Sequence, residues 1–78
     1  MPDYKMDVNG QLGLTEYSNI YDYINIVDKN DNFTITLNSV EEKDINMITS
    51  MLKDSNFSIL EQGINTNGNY YINANKVK

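Results

Sequence analysis

Residues 21–38 are Tyr-Asp-Tyr-Ile-Asn-Ile-Val-Asp-Lys-Asn-Asp-Asn-Phe-Thr-Ile-Thr-Leu-Asn, and the rest of the expected architecture is arranged around them. Apolar and polar residues alternate from Tyr21 to Asp28 and again from Phe33 to Asn38, the period of a half-buried strand. Between them, Lys29-Asn30-Asp31-Asn32 is rich in turn formers. The pattern predicts a hairpin. With Asp28 opposite Phe33, Ile26 faces Ile35 and Ile24 faces Leu37 on one side. Tyr21, Tyr23 and Val27 then share the other side with Thr34 and Thr36. A slip of one residue would put the isoleucines in water, so this register is well specified.

On the C-terminal side a helix is expected near residues 40–54. Ser39 and Glu42 have the spacing of a capping box. Glu41, Glu42 and Asp44 fall in the first turn and Lys53 in the last, as the helix dipole favours. Ile45, Ile48 and Leu52, with Met51 beside them, make one apolar stripe. Asp54-Ser55-Asn56 ends it. A second hairpin follows, Phe57–Ile64 and Asn69–Ala74 around Asn65-Thr66-Asn67-Gly68, because Asn-Gly accepts the positive φ of tight hairpin turns. Phe57, Ile59, Ile72 and Ala74 share a face in that pairing. Gly63 within the strand suggests a bulge, and Asn75–Lys78 reads as a frayed tail.

On the N-terminal side the pattern is weaker. Asn9-Gly10 could turn a short hairpin between Tyr4–Val8 and Gln11–Leu14, but the alternation is poor. Residues 15–20 fit a loop, a helical turn begun at Thr15, or the start of the next strand. The expected architecture is a single α+β domain over residues 1–78. It has a small, mostly antiparallel sheet of four to six strands and one helix on one face, in the order (ββ)-ββ-α-ββ.

Seventy-eight residues bury only about 60% of their unfolded surface. A single core of that size leaves about 3–5 kcal/mol of net stability. The chain has no Cys and no His, so neither a disulfide nor the commonest metal ligands can reinforce it. Oligomerisation is the remaining reinforcement, and a homodimer and a monomer are equally compatible with the sequence.

Net charge is −5, from 11 acidic residues against six Lys and no Arg. Without the bidentate guanidinium, and with a negative total, direct binding to nucleic acid or an anionic membrane is not expected. Thirteen Asn residues, with many Ile, Lys and Tyr, follow AT-rich codons and suggest an AT-rich bacterium or its mobile elements. The N-terminus carries no basic, then apolar, targeting segment, and no apolar run approaches a membrane span. The expected location is cytoplasmic.

The chemistry-bearing patterns are few. Asp28-Lys29-Asn30-Asp31-Asn32 matches the start of a calcium-binding EF-hand loop. However, Phe33 stands where the turn glycine belongs and Ser39 where the bidentate Glu belongs, so a polar turn explains the segment better. Glu41, Glu42 and Asp44 are explained by the helix dipole, and no carboxylate pair for acid–base catalysis stands out. No phosphate-cradling glycine motif and no Ser-x-x-Lys motif occurs. No catalytic, cofactor or metal residue is therefore assigned.

One helix cannot cover both faces of a sheet. The uncovered face, with Tyr21, Tyr23, Val27, Thr34 and Thr36, is the expected protein contact, since Tyr is enriched in interface hot spots. The function expected is a non-enzymatic protein-interaction module, of the inhibitor or accessory type carried by phage and mobile elements. The alternatives are a self-associating structural subunit and a mild acidic mimic of nucleic acid.

Overall fold

The computed structural model describes residues 3–8, 12–29, 31–38 and 41–77. In chain order the elements are β1 (Asp3–Val8), α1 (Leu14–Ile26), β2 (Asn32–Leu37), α2 (Glu42–Asp54), β3 (Phe57–Ile64) and β4 (Tyr70–Lys76). The strands form one sheet in the order β1-β2-β4-β3. β1 and β2 are parallel, while β4 runs antiparallel to both of its neighbours, β2 and β3. The α+β class holds. The sheet is mixed, and among the described residues it has four strands and two helices.

The main correction concerns residues 14–26, which form a helix where a strand of a hairpin was expected at 21–28. Ile20, Ile24 and Val27 recur at i, i+4 and i+7 and are all buried, so the helical period competes with the alternation of Tyr21 to Asp28 over the same residues. Tertiary burial decides between them. Ile26, predicted to face Ile35, is 58% exposed. Gly13 caps the helix and its N–H donates to Glu16 Oε1 at 3.0 Å. Glycine has no side chain to return that bond, so the start carries only half of the usual sequence signature. Lys29 and Asp31 belong to a helix-to-strand connection. There the Asp31 carboxylate accepts the Asp28 N–H at 3.3 Å and the Asp31 N–H donates to the Asp28 carbonyl at 3.0 Å.

In the first twenty residues a strand at Tyr4–Val8 and the helical alternative for 15–20 hold, but the hairpin does not. β1 is no hairpin arm; it pairs in parallel with β2, Tyr4 beside Phe33 and Met6 beside Ile35. Gln11, assigned to the other arm, lies outside the described residues, and Leu14 opens α1.

The rest follows the sequence closely. β2 alternates strictly, with Phe33, Ile35 and Leu37 buried and the residues between them half-buried. α2 buries Ile48 and Leu52 with Ile45 and Met51 half-buried beside them. The Glu41 N–H donates to Asp44 Oδ2 at 3.3 Å at its start; Ser39, the expected cap, lies outside the described residues. Asn56, at φ 70°, ends the helix in the left-handed region that Asn tolerates better than most residues. In the β3–β4 turn Gly68 takes φ +83°, and the Asn65 side-chain oxygen accepts the N–H groups of Asn67 and Asn69, both at 3.0 Å. The bulge falls at Leu60, between Ile59 and Glu61, while Gly63 pairs regularly with Tyr71. The tail is no fray through Val77: Lys76 pairs with Phe57, and the Val77 N–H donates to the Asn56 carbonyl at 2.9 Å.

The two helices share one face of the sheet. Between the layers lies one cluster that includes Val8, Ile20, Ile24, Phe33, Ile35, Ile48, Leu52 and Ile72. Phe33 sits at its middle, with ring centroids 5.4 Å from Tyr23 and 6.2 Å from Phe57.

Candidate interaction surface

The five residues predicted to share an uncovered face are dispersed. Tyr21 lies on the outer side of α1 and is 54% exposed, whereas Val27, at the end of α1, is 1% exposed. Tyr23 turns inward: its ring packs on Phe33 and, edge to face at 6.1 Å, on Tyr4, and its hydroxyl donates to the Lys5 carbonyl at 3.0 Å. Only Thr34 and Thr36 occupy the open face of the sheet. The misread of α1 caused this, since it placed the tyrosines on a strand.

The open face is polar. Across it run the rows Asp3, Asn32, Asn75, Ser58 and Lys5, Thr34, Asn73, Glu61. Cross-strand hydrogen bonds knit these rows: Thr34 Oγ1 to Asn73 Oδ1 at 3.4 Å, and Asn75 Nδ2 to Asn32 Oδ1 at 3.3 Å. Tyr71 donates its hydroxyl to the Glu61 carboxylate, and that bond raises the tyrosine's pKa. Its ring lies over Gly63, 3.9 Å from where a Cβ would stand. Acids and a lysine are interspersed here, so the face is not a continuous acidic track.

The two edges of the sheet are unlike. Along β1, Asp3, Lys5 and Asp7 are charged and exposed, and Tyr23 occupies the Lys5 carbonyl. Charges and covered backbone groups are the usual protection of an edge strand. β3 has no strand beyond it among the described residues and carries Leu60, 57% exposed, and Ile64, 72% exposed. Beside it, between α2 and the sheet, lies a groove of about 480 Å³. Glu42, Ile45, Asn46, Thr49 and Lys53 of α2, Ile59 and Gln62 of β3, and Tyr70 line it. Its helix side is a single stripe, residues 42, 46, 49 and 53, with an anion at one end and a cation at the other. The two charges are 11 residues apart, about 16 Å of helix, too far to act as an acid–base pair on one bond. Neither is ion-paired with another described residue, whereas Lys43 and Glu41 are, at 3.5 Å.

A second cleft of about 340 Å³ lies where β1 and β2 end against the β3–β4 turn. Asp7, Val8, Thr36, Asn38, Asn65, Asn67 and Asn69 line it. Asp7 is its one carboxylate, and Asn65 is committed to the turn. Among the described residues no three potential metal ligands converge, and no helix is long and apolar enough to cross a membrane. The groove's importance could not be seen from the sequence. Its stripe reads there as the wet side of α2, and only the strand order reveals that β3 is an edge.

Comparison with known proteins yields no matching family model, no matching curated protein and no matching solved structure.

Proposed function

We propose that this protein works by contacting another protein chain rather than by catalysis, as an interaction module of the inhibitor or accessory kind. Its contact surface is the β3 edge with the α2–β3 groove. One observation carries this reading: an edge strand with exposed Leu60 and Ile64 lies beside a groove that can take alternate side chains of an added strand. Strand addition uses these two features together. Main-chain hydrogen bonds supply affinity, and side-chain pockets supply selectivity. The single carboxylate in the lining of each cleft, Glu42 and Asp7, and the lack of Cys and His support a non-enzymatic role. The mixed charge of the open face weighs against the acidic-mimic alternative.

The test is photo-crosslinking in the cell that makes the protein. A benzophenone side chain in place of Ile64 should give a protein adduct, while the same group in place of Lys5, on the protected edge, should give far less. No adduct from position 64 or position 60 would overturn the proposal.

A further inference from the structure

We infer that the partner at the β3 edge is a second copy of this chain, paired antiparallel through β3 so that two four-stranded sheets become one continuous sheet. The inference rests on the reading of that edge as the contact surface and names its occupant.

The argument is self-complementarity, which a two-fold interface demands. Take an axis normal to the sheet passing between Leu60 and Glu61. The rotation keeps each face on its own side. On the helix side it sets Ile64 opposite the second copy's Phe57, and Gln62 opposite the second copy's Ile59. On the open side Ser58 meets the second copy's Gly63. The bulge at Leu60, an irregularity that would interrupt a long uniform pairing, falls on the axis. It divides the ladder into two short arms and sets the exposed Leu60 opposite the second copy's Glu61.

The same rotation acts on α2. The chain reverses at Ser55 and Asn56, so β3 runs back along the helix. The axis lies about 12 Å along β3 from Phe57, and about 12 Å back along α2 from Asp54 falls at Asn46 or Met47. That is close to the midpoint between Glu42 and Lys53. The two α2 helices therefore flank the seam in opposite directions, with Glu42 of each level with Lys53 of the other, and Asn46 level with Thr49. Two groove-lining charges that have no ion partner among the described residues of one chain acquire one twice over in the pair. The two grooves merge into a single trough closed at both ends by opposite charges. Such a pairing also supplies the reinforcement that a chain of this size without Cys or His otherwise lacks.

The test uses purified protein and charge reversal. Wild type should sediment at twice the 9.0 kDa of one chain. Glu42→Lys alone and Lys53→Glu alone should each weaken the dimer about tenfold, since each sets like charges together at two places. An equimolar mixture of the two variants should restore it, because in the mixed pair both contacts are again opposite in sign. Ile64→Lys, at a side chain already in water, should also give monomer while circular dichroism stays that of the wild type. This keeps the test decisive if a reversal at either helix end loosens α2. A wild-type chain that stays monomeric at its highest soluble concentration overturns the inference, as does a mixture no more associated than its components. If the purified chain is monomeric but position 64 crosslinks to a different protein in the cell, the second copy is refuted and the interaction module stands.

Discussion

The two edges of this sheet are built from similar lengths of chain and differ in what guards them. At β1 the neighbouring helix reaches out: Tyr23 leaves α1, packs on Tyr4 and Phe33, and occupies a backbone carbonyl of the outermost strand. At β3 the neighbouring helix stops short. α2 shows that strand a polar stripe across a groove, and Ile64 stands in water. An edge left this open tends to find another strand, so the contrast separates a closed side of the molecule from an open one.

The largest blow to this arrangement is Phe33→Ala, because that ring underlies both halves. The loss of its fully buried side chain should cost about 3–5 kcal/mol, read as a fall in the urea midpoint, and should loosen α1 and β3 together. Tyr23→Ser sharpens the comparison by attacking the closed side alone. It should cost about 2 kcal/mol and speed amide exchange along β1 more than along β3. Tyr21→Ser should change stability by less than about 0.5 kcal/mol. If the two serine variants are equally mild, Tyr23 does not guard the edge.

A pH-dependent effect concerns the strap between the helices. The Tyr17 hydroxyl donates to Asp44 Oδ1 at 2.8 Å. Loss of water contact, and then that bond and the carboxylate charge, push its pKa from 10.0 up to about 12. The raised value means the folded state holds the proton longer than the unfolded state does. The contribution is therefore fully present below pH 10 and is lost as pH rises through the window up to 12. Urea melts between pH 9 and 12 should show wild type losing stability faster than Tyr17→Phe across that window. Parallel curves would remove the strap from the account.

What the sequence disclosed, and what it withheld, follows from the range of the interactions involved. α2 was legible because charges at its ends and the stripe at Ile45, Ile48 and Leu52 agree. β3 and β4 were legible because Asn67-Gly68 joins them locally. β2 was legible from its strict alternation. α1 was not, since Ile20, Ile24 and Val27 fit the helical period while Tyr21, Tyr23, Ile24 and Ile26 belong to residue types favoured in strands. Its cap glycine also lacks a side chain to announce the start. β1 was legible as a short strand at Tyr4–Val8 but not by its partner, which is 29 positions away, Asp3 beside Asn32, with a helix between. The expected uncovered face inherited both errors: Tyr21, Tyr23 and Val27 moved with α1, while the exposure of Leu60 and Ile64 drew attention only once β3 was found at the border of the sheet.

The position of β4 bears on how the molecule is made. β4 follows β3 in the chain yet takes an inner place in the sheet, flanked by β2 and β3. Until residues 70–76 emerge, β2 has an unfilled side and β3 has no strand beside it among the described residues, so these form a parallel pair, two helices and a stray extended segment. Assembly of the layer must then wait until residues 70–76 have emerged, and a chain cut before Tyr70 would lose the middle of its sheet rather than its margin.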